Sequence, residues 1–378
     1  MPTRLLLTLV LCSVPLTAQN RPAPSATEVA PGVIVFITPS YGDVGLDGNS
    51  IAVLSRAGVL VFDTNGTPAA SAAVLAEIRR RTDQPIRWIV NSHWHWDHWY
   101  GTETYQRAFP DVRIVAQEKT RALMIGPALE FNRPGLETQL PNYLKTLEQR
   151  AATNPALEAT LDQDRFFLDQ KSHVRHTFPN VTFTDRLAIE LGDRHVEVLN
   201  YGRGVTPGDA FVYLPKEKVL LVGDLIVNPV TFALSGYPTE WLRVLERIDA
   251  LDADTIVTGH GAPLHDKRLL HATTDVFRVL LREGKAAKEK GLTAFTRSWT
   301  VASPTRLCRF RRNETSLRVL PESIPSSRRL VVRILRRHCH RAARFGAADG
   351  PRRRSAVSAV KRPRTPRLRN AAPCCRSR

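Results

Sequence analysis

Cysteine is nearly absent from the body of this chain. Of the five cysteines in 378 residues, one lies near the start and four lie toward the C-terminal end: Cys12, Cys308, Cys339, Cys374 and Cys375. A fold built from the residues between them contains no cysteine, so disulfides cannot hold it together even in an oxidising compartment. Any metal site in this part of the chain must therefore use histidine and carboxylate ligands.

The chain also begins with an apolar run that is too short to cross a membrane. Leu5–Leu16 is shorter than the ~20 residues that a bilayer requires. Followed by the small residues Thr17 and Ala18, it predicts a secretory signal peptide over residues 1–18 and an exported protein, periplasmic or secreted. Two alternatives are an uncleaved core helix and a lipid anchor at Cys12, which the bulky residue before that cysteine disfavours.

Acidic residues are scarce at the C-terminal end. Residues 293–378 contain 23 Lys and Arg but only Glu314, Glu322 and Asp349 as acids, so the sequence pI of about 10.3 comes from this segment. The segment lacks sustained periodicity and is rich in Arg, Pro and Ser, which predicts an Arg-rich disordered tail over residues 292–378. Such an arm could bind phosphates, but aromatic residues are sparse there and an export signal takes the protein away from nucleic acid. No nucleic-acid partner is expected.

Histidine and aspartate, by contrast, are concentrated in one short segment. The chain has 11 histidines, and residues 91–101 place His93, His95, Asp97 and His98 within six positions. If the preceding residues form a buried strand, its side-chain period of two sends His93 and His95 to the same side. Asp97 and His98, after a turn, can reach a second position, and paired metal ions lie only ~3.5–4 Å apart. The alternative is a histidine-rich surface turn.

The surrounding pattern is that of sheets covered by helices. Gly32–Val61 alternates short apolar runs with turn residues, as a meander of strands does, and Pro68–Arg81 has the apolar spacing of an amphipathic helix. Residues 117–176 become helical, polar and interrupted by proline, which predicts a helical insertion. Strands return afterwards, so we expect one α+β domain over residues 27–291.

The His-x-His-x-Asp-His pattern of residues 93–98 resembles the signature of the metallo-β-lactamase superfamily, in particular its glyoxalase II-like branch. Two later segments agree: His260 in Thr-Gly-His-Gly looks like the last metal-binding histidine of that family, and Asp224 in Val-Gly-Asp-Leu looks like its metal-bridging aspartate. The resemblance implies a four-layer αβ/βα sandwich. It also implies metal-assisted hydrolysis, in which a hydroxide on the metal attacks a carbonyl-type carbon of an ester, thioester, lactone or lactam.

The resemblance further implies two metal positions that share Asp224. The second would use Asp97, His98 and His260, while the first would use His93, His95 and one more histidine. Val205 stands where the family has that histidine, and valine has no lone pair to offer. The first position is therefore incomplete. Asp97 is also the expected catalytic residue, because it holds and orients the ion. The ligands suit Zn²⁺, as one or two ions, and also Fe or Mn.

Two functions follow from these residues. The chain is either a metal-dependent hydrolase of a small-molecule substrate, or a catalytically impaired relative that folds and binds one metal because Val205 replaces a ligand. A nucleic-acid-processing enzyme is a third alternative that requires the basic tail to be genuine. The sequence leaves the substrate class and the oligomeric state open.

Several other residues allow two interpretations each. Asp63 either accepts a hydrogen bond from a metal-binding histidine or closes a turn. Three tryptophans beside the ligands form either an apolar substrate wall or buried packing: Trp94, Trp96 and Trp99. Two histidines three residues apart are interpreted as surface residues rather than a further metal pair: His173 and His176.

We interpret the abrupt change near Leu292 as a shift of the reading frame, because out-of-frame GC-rich coding yields mainly Arg, Pro, Ser, Ala and Cys. Resequencing the gene tests this interpretation. A one- or two-base correction should restore an amphipathic C-terminus with both acidic and basic residues. If no frame encodes such a segment, the tail is a genuine product.

Overall fold

The computed structural model of this protein describes residues 23–233 and 236–289. The expected signal peptide over residues 1–18, all five cysteines and the expected tail over residues 292–378 lie outside the described residues.

Seven strands form the first sheet, and their order in the sheet follows the chain. The first four strands are antiparallel, while the fourth to seventh run parallel. They are rich in β-branched and aromatic residues, which favour extended backbone. The strands are β1 Ser25–Ala30, β2 Val33–Ile37, β3 Ser50–Ser55, β4 Gly58–Phe62, β5 Ile86–Val90, β6 Arg113–Gln117 and β7 Val181–Phe183.

Five strands form the second sheet, in the order β12-β11-β10-β9-β8. Neighbouring strands are antiparallel except β11 and β12, which are parallel. The strands are β8 Arg186–Leu191, β9 Arg194–Leu199, β10 Phe211–Leu214, β11 Val219–Leu221 and β12 Thr255–Val257. In each sheet, the parallel strands place their carboxyl ends at one edge.

Helices occupy the connections between strands. Proline begins the first of them, and the Thr67 side chain caps its N-terminus by accepting a hydrogen bond from the Ala70 amide. The α-helices in the described part of the chain are α1 Pro68–Arg79, α2 Thr102–Ala108, α3 Glu118–Ile125, α4 Pro127–Pro134, α5 Leu140–Ala151, α6 Glu158–Ser172, α7 Pro238–Asp249 and α8 Arg268–Glu289.

The two sheets face each other across an apolar core. Val35 and Phe62 of the first sheet belong to the same buried cluster as Val198 of the second. Helices α1 and α2 cover the outer face of the first sheet through a separate cluster, and α7 and α8 cover the second sheet through another. The order is helix, sheet, sheet, helix, which confirms the predicted four-layer sandwich.

The helical insertion between β6 and β7 consists of α3 to α6, with a π-helical stretch at Gly135–Gln139. Its last two helices pack through leucines such as Leu144 and Leu161. Asp164 of α6 ties the insertion to the loop after β2, because its carboxylate accepts hydrogen bonds from the amides of Asp43 and Val44, both at 3.0 Å. Among the described residues, no helix is both long and apolar enough to span a bilayer.

Arg194 links the two sheets through one buried guanidinium. Its Nε donates to the carbonyl of Leu54 in the first sheet at 2.7 Å, and its Nη1 pairs with Glu217 at 2.5 Å. The Arg194 and Glu217 side chains are only 12% and 8% exposed. The ion pair is thus largely shielded from water. In such a position, removing one partner leaves the other charge buried and unpaired.

We expect Arg194→Met to lower the free energy of unfolding by about 3 kcal/mol, because Glu217 would remain buried without its partner. Urea denaturation followed by circular dichroism measures the change. Arg186→Met is the matched control, because its guanidinium is 58% exposed and pairs with Glu197 at the surface. The control should cost less than about 0.5 kcal/mol, and equal losses in the two variants would contradict the role assigned to Arg194.

Candidate metal centre

The ligand loop, residues 91–101, begins where β5 ends. Its first amide, that of Asn91, donates to the Val115 carbonyl of β6 at 2.9 Å, and residues Trp96–His98 form a 3-10 turn. The extended part presents His93 and the turn presents Asp97 and His98. Those three side chains are buried, at 1%, 6% and 0% exposure.

Asp63 fixes the ligand loop from the end of the neighbouring strand β4. Its carboxylate accepts hydrogen bonds from the Ser92 amide and hydroxyl, each at 2.7 Å, and from His98 Nδ1 at 2.8 Å. Asp63 also has a positive φ of 58° at the turn after β4. Of the two roles considered from the sequence, the hydrogen bonds thus show the one in which Asp63 orients a histidine.

These hydrogen bonds also set the tautomers of two imidazoles. The Ser92 hydroxyl gives its proton to Asp63, so at 2.8 Å it accepts from His93 Nδ1. His98 Nδ1 likewise donates to Asp63. Both rings are left with Nε2 directed away from Asp63, which is the arrangement that metal-binding histidines require.

The second sheet contributes Asp224 and His260 from the ends of its parallel strands β11 and β12. Close approach of the backbones makes glycine necessary beside each of them. Gly223 has a φ of 53°, and a Cβ there would lie 2.7 Å from the Ser92 Cβ. A Cβ on Gly259 would lie 2.0 Å from Asp224 Oδ1. The edges of both sheets therefore meet at the ligand loop.

Four of the predicted ligands converge closely. Asp97 Oδ2 lies 3.0 Å from His260 Nε2 and 3.4 Å from His98 Nε2. Asp224 Oδ1 lies 3.3 Å from His98 Nε2 and 3.5 Å from His260 Nε2. Among the described residues, Asp97, His98 and His260 form one set whose ligand atoms all lie within 4.8 Å of each other, and His93, His98 and Asp224 form another.

The atoms at the centre of this cluster fit a cation. His98 Nε2 and Asp224 Oδ1 are both buried and have no hydrogen-bond partner in the part of the chain that the structure describes. Leaving such groups unsatisfied costs about 1–3 kcal/mol each, more when they are charged. A metal ion that accepted a lone pair from each atom would satisfy both, and the nitrogen and oxygen donors suit Zn²⁺ or a similar ion.

His95 is a predicted ligand that belongs to neither of these two sets of converging atoms. Its Nδ1 lies 2.8 Å from His93 Nε2, so the two imidazoles are hydrogen-bonded to each other. Because His93 Nδ1 already donates to Ser92, this bond uses the Nε2 lone pair of His93. The two histidines expected to grip the first ion are thus paired with one another.

The protonation of the cluster reflects its excess of buried carboxylates. Burial alone would lower the pKa of His98, but Asp97, Asp224 and Asp63 raise it well above the usual value. Burial opposes ionisation of Asp97 and Asp224, but His98 and His260 hold both pKa values below the usual range. Burial lowers the pKa of His93 and His95. Without an ion, a proton on His98 therefore neutralises part of the carboxylate charge.

Val205 lies in the apolar layer between the second sheet and α7. It is 1% exposed and belongs to the same cluster as Leu225 and Trp241. The turn around it is held by buried Asp209, which accepts hydrogen bonds from the Gly204 and Thr206 amides. Burial raises the pKa of Asp209 to about 7 in spite of those bonds. Position 205 thus serves packing, and it offers no ligand.

Lys171 of α6 is a buried basic residue that the sequence did not reveal. Its side chain is 8% exposed, and Nζ lies 3.5 Å from the ring centroid of Trp96 and 4.2 Å from that of Tyr100. Nζ has no hydrogen-bond partner among the residues described. Burial lowers its pKa well below the usual value, although Asp97 and Asp47 oppose the shift. In sequence it is indistinguishable from a solvated helix lysine.

The three loop tryptophans divide between the two interpretations considered. Trp99 is fully buried and donates from Nε1 to the Trp94 carbonyl at 2.9 Å, so it packs beneath the loop. Trp96 is only partly buried and lines a cavity.

His176, which the sequence placed at the surface, is exposed. Its ring centroid also lies 4.8 Å from that of Tyr100.

Comparison with known proteins agrees with this geometry. Residues 43–260 match the family described as the metallo-beta-lactamase superfamily. Because this match covers more than half of the sequence, the chain belongs to the metallo-beta-lactamase superfamily.

A curated relative is the linear primary-alkylsulfatase of Pseudomonas sp., which is 27% identical over 257 residues. The match covers 62% of this chain and 46% of that enzyme, so the chain spans about half the length of the curated relative it matches. Among solved structures, a metallo-beta-lactamase from Pontibacter korlensis has a TM-score of 0.49 at 22% identity, over 68% of this chain and 99% of that one. The DIM-1 metallo-beta-lactamase has a TM-score of 0.48 at 17% identity, over 68% and 99% respectively.

We expect Lys171→Met to raise the free energy of unfolding at neutral pH by about 1 kcal/mol or more, because it removes a buried amine without a hydrogen-bond partner. The lowered pKa means that the unfolded chain binds more protons than the native one up to the ordinary lysine pKa of ~10.4. Between the lowered pKa of Lys171 in the native protein and ~10.4, the free energy of unfolding of the unmodified protein should therefore rise with pH. The difference in stability between Lys171→Met and the unmodified protein should shrink over the same range.

Urea denaturation at neutral pH and near pH ~9.5 measures both effects. Lys145→Met, at an exposed position of the same insertion, is the matched control and should leave stability nearly unchanged. A large loss of stability in Lys171→Met at neutral pH would show that the amine is a needed ion-pair partner instead.

Proposed function

We propose that this protein is a metal-dependent hydrolase of a small-molecule substrate. The observation that carries the proposal is the convergence of Asp97, His98, Asp224 and His260 around two buried atoms that lack hydrogen-bond partners. Zn²⁺ fits these nitrogen and oxygen ligands, and Fe or Mn would also fit. When bound, such an ion supplies Lewis-acid polarisation and lowers the pKa of a water molecule.

Each residue has a distinct part in this proposal. Asp63 keeps His98 Nε2 directed at the cluster through the hydrogen bond from Nδ1. Asp97 and Asp224 stay ionised, because the neighbouring imidazoles lower their pKa values, and they supply the negative charge that attracts a cation. Asp97 also contacts His260, which joins the first sheet's ligands to those of the second.

We further propose that one metal position dominates. The set of Asp97, His98 and His260, with Asp224 beside it, is complete. At the other position, His93 and His95 are hydrogen-bonded to each other and Val205 is committed to the apolar layer. The same observation supports the second candidate, a catalytically impaired member of the superfamily that binds a single ion.

The hydrolysable group is proposed to be an ester, thioester, lactone or lactam. The relative from Pseudomonas sp. bears the name of a linear primary-alkylsulfatase, which adds a sulfate ester to the candidates. All of these groups have an oxygen that a metal centre can polarise and a carbon or sulfur that water can attack. We also propose that the protein is exported, as the apolar run at its start suggests.

The metal content of the purified protein tests the proposal. We expect about one tightly held ion per chain in the unmodified protein, and up to two in Val205→His, which would restore the fourth ligand that a closed site needs. Elemental analysis after dialysis gives the ratio. Assays on a lactam, a lactone, a thioester and an alkyl sulfate then establish the substrate class.

Val205→Ala is the matched control, because it alters the same packing without adding a ligand, and it should still bind about one ion. Asp224→Asn should lose most of the bound metal. Protein that retains no ion after purification and reconstitution would refute the metal centre. Two tightly held ions in the unmodified protein would show that another residue replaces the missing histidine.

A further inference from the structure

A large cavity lies between the ligand loop and the helical insertion. Its volume is about 1010 Å³, at the upper end of the range for small-molecule sites. Trp96 and Tyr100 of the ligand loop form part of its wall. The insertion supplies nearly all of the remainder, with apolar side chains such as Phe131, Leu140, Phe167 and Val174 beside polar ones such as Asn132, Arg133 and Glu137.

The cavity borders the ligand loop through the Trp96 and Tyr100 side chains, and none of the predicted metal ligands is part of its wall. Trp96, in its wall, stands between His95 and Asp97 in the sequence. Trp94 contacts both a predicted ligand and the wall of the cavity. Its ring centroid lies 4.6 Å from that of His95 and 5.5 Å from that of Phe131. A molecule in the cavity would therefore have one end against the ligand loop.

The walls of the cavity favour an apolar occupant. Phe131, on α4, is 67% exposed although it is a large aromatic residue, and it faces the cavity. The buried polar group in the wall is Lys171, whose Nζ is capped by the Trp96 and Tyr100 rings. A hydrocarbon chain packed against the apolar side chains of the wall would remove their exposed surface from water.

We infer that this cavity binds the apolar chain of a long-chain ester-type substrate, with the hydrolysable group of that substrate at the ligand loop. The inference rests on the proposed hydrolase function for the position of that group. A compact polar substrate such as a small lactam would leave most of the cavity and the exposed Phe131 ring uncovered.

A chain-length series tests the inference in the full-length protein. Burying one methylene is worth ~0.8 kcal/mol, which corresponds to a factor of about three to four. On nitrophenyl acetate, butyrate, octanoate and decanoate, kcat/KM should therefore rise about threefold or more per methylene until the cavity is full. Binding is measured independently of turnover, from displacement of the fluorescent apolar probe N-phenylnaphthylamine by butyrate, octanoate and dodecanoate.

Two glycines provide a matched pair of variants. Gly135 lines the cavity and Gly284 lies on α8, and a Cβ added at either meets no atom within 4 Å. Gly135→Phe should weaken dodecanoate binding about tenfold or more, because the new ring occupies space that the chain needs. Gly284→Phe should bind dodecanoate as the unmodified protein does. Val174→Phe, at a second position of the wall, should reproduce the effect of Gly135→Phe.

The outcomes separate the two proposals. Chain-length-dependent binding that both cavity variants weaken supports the inference, even if no ester is hydrolysed. If the lactam, lactone, thioester and alkyl sulfate are not hydrolysed either, the hydrolase function alone is refuted. Hydrolysis that does not depend on chain length would overturn the inference and leave the metal centre standing. Dodecanoate binding that is equal in Gly135→Phe, Val174→Phe and Gly284→Phe would also overturn it.

Discussion

The structure of this site depends on buried carboxylates that need a cation. Asp97 and Asp224 are 6% exposed each, and their oxygens lie within 3.5 Å of the same imidazole nitrogen of His98. Two charged carboxylates in such a place repel one another and lose hydration, so the arrangement is stable only when positive charge lies between them. A proton on His98 supplies part of that charge, and a metal ion would supply more. The remaining contacts of the centre serve to hold these groups in place.

The two-sheet architecture makes this concentration of charge possible. Each sheet has parallel strands whose carboxyl ends meet at one edge, and the two edges come together at the ligand loop. Asp63 and the loop come from the first sheet, while Asp224 and His260 come from the second. Glycines at positions 223 and 259 allow the backbones to approach within distances that a side chain would prevent. The strands therefore impose a geometry that the loop alone could not maintain.

Val205 shows how packing and metal binding compete for one position. The residue lies at the junction of the apolar layer under α7 and the turn held by Asp209. A valine there extends the core, whereas a histidine would have to direct a polar ring toward the cluster. On the other side of the site, His93 and His95 satisfy each other by a hydrogen bond. Val205 thus removes one ligand from that position and extends the apolar layer instead.

The sequence by itself predicted the sandwich through its resemblance to the superfamily, and it predicted the candidate ligands because their pattern is short-range. The spacing of His93, His95, Asp97 and His98 is visible within one segment, and Asp224 and His260 follow recognisable strands. The hydrogen bonds of Asp63 to the ligand loop, the pairing of His93 with His95 and the burial of Lys171 were decided only by the tertiary structure. Lys171 is 75 residues from Trp96 in the chain, and nothing near it distinguishes it from a solvated lysine. The set of side chains that line the cavity depends on how the insertion folds back over the loop. That folding depends on contacts between segments that no local pattern records.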